Sequence, residues 1–144
     1  MCVTIVKSKG VGSMKKRLLL LIPPVIAFIL ELLPYGVIMK FADGPDSTYT
    51  ETFSYFSLLP FGYAVFGPLI AAVLTCALFA VTAIYVFTGI KGLKTAVMVI
   101  VMVTALLSVS PALYGLEYLS LINAVVSLIL SVEAVVLLIQ TKPA

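Results

Sequence analysis

Two carboxyl groups lie inside long apolar runs of this chain, Glu31 within residues 18–39 and Glu133 within residues 117–140, and no other side chains are better placed for chemistry. An ionisable group in hydrocarbon costs at least about 2.5 kcal/mol on insertion scales, so each needs a partner, a proton or water. A helix continuing past Glu31 puts Tyr35 one turn away on the same face, and Pro34 leaves the Leu30 carbonyl without its helical donor. Glu31 is then either a proton- or cation-linked carboxylate at a kink in a transport path, or a neutral group that ties the kink to Tyr35 or Asn123. Glu133 shares a face with Gln140 and lies within reach of the turn bearing Lys91 and Lys94, where a structural role is expected. Counted at about 1.5 Å per residue, the two carboxyls sit at different depths, each about 10 Å from an opposite face, and are not expected to meet.

Other chemistry is sparse. The chain has no His and no Trp, which removes the commonest metal ligand and the side chain that titrates nearest neutral pH. Cys2 belongs to a basic tail and Cys76 to an apolar run, so no disulfide is expected, and a reactive Cys76 would need a base that its run lacks. No Gly-rich phosphate loop, metal-ligand spacing or nucleophile elbow occurs. The expectation is a non-enzymatic protein without catalytic residues, metal or cofactor.

These side chains must be positioned by elements suited to lipid. Hydrophobic residues make up 62% of the chain and charged residues 10%, with a mean hydropathy of +1.24, whereas soluble domains carry roughly a quarter charged residues. Nine Lys/Arg and six Asp/Glu cannot cover the surface of a 144-residue soluble domain. The basic residues stand beside apolar runs, where they mark orientation, and no nucleic-acid partner is expected.

The predicted fold is all-α, a polytopic integral membrane protein built as a four-transmembrane-helix bundle, with helices at about 18–39, 68–88, 95–113 and 117–140. The first run follows Lys15, Lys16 and Arg17 as a signal peptide would. Yet it is long enough to cross a bilayer, about 20 residues, and lacks a small-residue cleavage site, so it reads as an uncleaved helix. Residues 1–17 form a basic tail in which Met14 is a credible start, and 141–144 form a short second tail. Asp43, Gly44, Pro45 and Asp46 open an extracellular loop at 40–57. Its second half, Thr48 to Ser57, alternates aromatic with small polar residues. That suits either an extended stretch or, as preferred here, an interfacial segment with rings at headgroup depth. Residues 58–67, punctuated by Pro60 and Gly62, form a lead-in or re-entrant segment.

Lys7, Lys9, Lys15, Lys16, Arg17, Lys91, Lys94 and Lys142 fall on one side of this four-span arrangement and Lys40 on the other, so both termini are expected in the cytoplasm. Small residues form stripes at helical spacing: Gly67, Ala71, Thr75 and Thr82 on the second helix, Thr104 and Ser108 on the third, and Ser120, Asn123, Ser127, Ser131 and Ala134 on the fourth. In lipid such stripes let helices approach and hydrogen-bond, so Gly67, Ala71, Thr75, Ser127 and Ser131 are the expected helix-packing residues. Glu133 lies roughly 120° from the middle of the fourth-helix stripe, which argues against one continuous conduit.

The stretch Glu31-Leu-Leu-Pro-Tyr-Gly36, with Phe53-Ser-Tyr-Phe-Ser-Leu-Leu-Pro-Phe-Gly-Tyr63 and Leu74-Thr-Cys76, resembles a group of uncharacterised small four-helix membrane proteins of Gram-positive bacteria. That resemblance covers the first half of the chain and implies no activity. A membrane-embedded Glu in the first of four helices is also similar to small multidrug-resistance transporters, from which this chain departs in its lack of Trp, its long polar first loop and its missing Gly-rich dimer motif. The resulting expectation is an accessory, scaffold or oligomer-forming component of a bacterial plasma membrane, its partners being the lipid bilayer and a second copy or another membrane protein. The alternative is a small oligomeric transporter or channel in which Glu31 couples, with Tyr35, Asn123 and Glu133 as further polar candidates.

Overall fold

The computed structural model describes Met14, residues 17–45 and residues 47–141; Cys2, Lys7, Lys9, Lys15, Lys16, Asp46 and Lys142, all used above, lie outside that set, as does the side chain of Gln140. The first apolar run does not make one long helix. A 3-10 turn at Leu19–Leu21 leads into α1 (Ile22–Leu32), and the helix stops there. Leu33 is extended at φ −69°, ψ 142°, the conformation imposed on a residue that precedes proline, here Pro34. The β-branched and aromatic residues that follow then pair as a hairpin, β1 (Val37–Ala42) antiparallel to β2 (Thr48–Phe53), with Val37 opposite Phe53 and Ala42 opposite Thr48. The predicted helix at 18–39 is thus shortened by a strand, and the extended alternative for residues 48–53 is the one the chain adopts. Along β1, Val37 and Met39 are buried and Ile38 and Lys40 are not, the period-two pattern of a strand with one face on a core.

After the hairpin, Ser57 caps a short helix, α2 (Leu58–Gly62), in the predicted lead-in segment. Then come α3 (Phe66–Thr88), α4 (Lys91–Ser108) and α5 (Leu121–Thr141). Gly89 ends α3 in the left-handed region, φ +68°, and its N–H returns to the Tyr85 carbonyl, so α4 begins two residues later and runs back alongside. Pro111 sits in a 3-10 turn, Ser110–Tyr114, which extends the apolar rod of α4. Among the described residues three helices are long and apolar enough to cross a bilayer: Phe66–Thr88, Lys91–Tyr114 and Leu121–Ile139. The run Leu19–Leu32 is apolar but short, about 21 Å at 1.5 Å per residue against a hydrocarbon core of about 30 Å.

The main helices close into a ring, α1 against α3, α3 against α4, α4 against α5 and α5 against α1. Arg17, before α1, lies 5.6 Å over the Tyr85 ring near the end of α3, so α1 runs antiparallel to α3 and its basic start shares one end of the bundle with Lys91 and Lys94. The hairpin covers the opposite end. The outward faces are apolar, with Val73, Ile84, Phe87, Leu106 and Ile139 exposed, while threonines, serines, an asparagine and two glutamates are buried inside. That inversion of the soluble pattern is what a lipid-facing bundle requires.

Close helix contact depends on Gly67. A methyl group there would overlap the Ser110 side chain and come within 2.9 Å of the Leu107 carbonyl oxygen. Gly67→Val is expected to destabilise the bundle by about 1–3 kcal/mol, the usual range for overpacking, in thermal unfolding followed by circular dichroism in detergent, whereas Gly62→Ala, where a methyl would meet nothing within 4 Å, should change little.

Candidate functional site

Ser120 sets the position of the polar core. It is the N-cap of α5, accepting the Asn123 N–H at 3.0 Å, and its hydroxyl donates to the Gly36 carbonyl at 2.8 Å, which ties the α1–β1 link to the start of α5. Across the hairpin, the Tyr55 N–H donates to the Glu31 carbonyl at 3.1 Å. The Tyr55 ring therefore drops into the bundle and is fully buried, 0% exposed. Gly36 makes room for it, since a Cβ at Gly36 would lie 2.7 Å from the ring.

Inside, the Asn123 amide donates to the Tyr55 hydroxyl at 2.7 Å and to the Ser108 carbonyl at 2.9 Å, at the last residue of α4. Tyr55 and Ser108 share a hydrogen bond of 3.1 Å, and Ser127 donates to Ser108 Oγ at 2.9 Å. One network therefore joins the hairpin plug, α4 and α5. Glu31, also fully buried, meets α3: Thr75 Oγ1 lies 2.8 Å from its Oε1 and 3.0 Å from the Ala71 carbonyl. Thr75 has a single proton for these two acceptors. When that proton goes to Ala71, the contact with Glu31 is a hydrogen bond only if the carboxyl itself carries the donor. Glu31 Oε2 and Asn123 Oδ1 are buried without partners.

The predicted polar candidates are therefore split. Glu31 and Asn123 are brought to the same end of the bundle, where the Tyr55 plug contacts both. Tyr35 is not with them: because α1 ends at Leu32, Tyr35 leaves the Glu31 face and is 61% exposed. The partners that spacing did not reveal are Thr75, Tyr55 and Ser108. Glu133 is 2% exposed, and neither carboxyl oxygen has a hydrogen-bond partner. Its place beside Leu130, Ala134 and Leu137 on the buried face shows that the face is centred nearer Asn123 and Leu130 than the serine stripe alone implies. Gly67, Ala71, Thr75 and Ser127 are buried between helices, whereas Ser131 is turned away from the core.

Ser131 lies instead in a shallow groove of about 470 Å³ along the outer side of α5, with Ala124, Leu128, Val132, Val135 and Val136. Cys76 is exposed as well, beside a hollow of about 280 Å³ lined by Val25, Phe28 and Phe79. No group of three or more metal-ligating side chains occurs among the described residues. No family model, curated protein or solved structure matches this chain.

Proposed function

We propose that this chain is a non-enzymatic integral membrane component that acts by side-to-side helix contact, with the outer groove of α5 as its contact face. The observation that carries this reading is the position of Ser131, a hydroxyl on the outer surface of a hydrophobic helix, in a groove shared with Ala124 and Ser127 and otherwise lined by Leu and Val. The interior supports it, since most polar groups there are used to lock the hairpin and helices together. The chain crosses the membrane four times in this reading, α1 and the hairpin base together making the first passage, with both termini in the cytoplasm of a bacterial cell. Arg17, Lys91 and Lys94 at one end and Lys40 at the other agree with that orientation.

Filling the groove tests it. Ser131→Phe is expected to convert a complex, homo-oligomeric or mixed, into the single chain by native mass spectrometry in mild detergent, leaving helix content unchanged. The same mass distribution for wild type and variant would remove α5 as the contact face.

A second reading rests on one separate observation, the unpartnered Glu31 Oε2 beside a threonine that serves two acceptors. There the carboxyl takes up and releases a proton or small cation, and the bundle is a subunit of an oligomeric transporter. Proton flux into liposomes that is abolished in Glu31→Gln supports it; equal flux in both rejects it.

A further inference from the structure

At the hairpin end, away from the buried polar core, β1 overhangs the turns flanking α3 and α4 and leaves a cavity of about 300 Å³. That is the lower end of the range for small-molecule sites. Met39 and Lys40 of β1, Tyr63 and Val65 before α3, and Tyr114 and Tyr118 after α4 line it. The walls include three aromatic rings and the Lys40 ammonium, to which Glu117 is held from outside the lining: Lys40 Nζ lies 2.5 Å from Glu117 Oε2 and 5.7 Å from the centre of the Tyr118 ring. The Glu117 carboxylate holds the Lys40 ammonium above its ordinary range. Tyr63 is fixed edge-on to Phe41 of the hairpin at 5.6 Å. Next to it Ala64 has φ +69°, among the described residues the only non-glycine residue with positive φ, and Tyr114 donates to its carbonyl at 3.0 Å.

We propose that this cavity binds a zwitterion that pairs a phosphate with an ammonium group, of the phosphoethanolamine type. An anion alone would meet the Glu117 carboxylate, and a cation alone would meet Lys40. A zwitterion matches both halves of the pair at once, its phosphate on Lys40, its ammonium on the neighbouring Glu117 and the ring faces. The cavity opens where the apolar lengths of α3 and α4 end, the level of lipid headgroups if these helices cross the bilayer, so the zwitterion arrives either on a phospholipid or free in solution. The assignment does not depend on the α5 contact face.

Tyrosine emission provides the readout, because the chain has seven Tyr and no Trp. The full chain in detergent is titrated with dihexanoyl phosphatidylethanolamine, dihexanoyl phosphatidylglycerol and soluble phosphoethanolamine. Saturable binding of the first, at least tenfold tighter than the second, and about tenfold weaker in each of Lys40→Met, Glu117→Gln and Tyr118→Leu is the expected result. Soluble phosphoethanolamine binding as tightly as the lipid assigns the site to a free zwitterion; weaker binding assigns it to a lipid headgroup. Equal binding of the two lipids, or wild-type affinity in Lys40→Met and Glu117→Gln, overturns the proposal. The two charged side chains are partly exposed, at 36% and 58%, so their replacement leaves folding intact, which circular dichroism checks.

Discussion

Tyr55→Ala is expected to destabilise the protein by about 3–5 kcal/mol, the range for removing a large, fully buried aromatic side chain. Its ring is the plug that joins the hairpin to the bundle, and its hydroxyl is bonded by both Asn123 and Ser108. Tyr55→Phe separates the two contributions. It keeps the ring and removes only the hydroxyl, and because the Asn123 amide retains the Ser108 carbonyl, about 1–2 kcal/mol is expected. Detergent-solubilised protein unfolded thermally, with helix content followed by circular dichroism, gives both values. A Tyr55→Ala loss below about 1 kcal/mol would mean that the hairpin is attached by something other than this ring.

The second large effect is expected at Glu31, and its size depends on the replacement. Glu31→Lys puts an ammonium where a carboxyl now meets Thr75 and should cost about 3 kcal/mol or more, because the new charge is buried without an acidic partner. Glu31→Gln should stay within about 1 kcal/mol of wild type, since its amide can donate to Thr75 as a protonated carboxyl would and its carbonyl can still accept. Comparable unfolding temperatures for wild type and Glu31→Lys would show that the carboxyl sits in water rather than in the packed core.

The membrane character of the chain was legible in composition and run length, and three long helices near the predicted positions carry it. The first run misled because hydrophobicity alone does not separate helix from strand: Val37, Ile38, Met39 and Phe41 are as apolar as a membrane helix, and the stop comes from Pro34 acting on Leu33. Once that stop is taken as a break, the alternation of Thr48, Thr50 and Thr52 with Tyr49, Glu51 and Phe53 reads as the second strand of a hairpin around Gly44 and Pro45. The site was legible in part for a related reason. Glu31 and Asn123 stand out as polar residues in apolar runs, but Tyr55 and Ser108 reach them only through tertiary folding, at sequence separations that helical periodicity does not connect. Tyr35 was assigned to the Glu31 face on a helix that ends before reaching it.

Cysteine crosslinking in intact membranes tests the proposed contact face most directly. In a background with Cys2→Ser and Cys76→Ala, single cysteines are placed at Ser131 and, as a control, at Val103, which is exposed on α4. A crosslinked species, either a dimer of this chain or an adduct with one defined membrane protein, is expected from Ser131→Cys and none from Val103→Cys. No adduct from Ser131→Cys, or equal adducts from both positions, would contradict it and leave the Glu31 carboxyl as the centre of function.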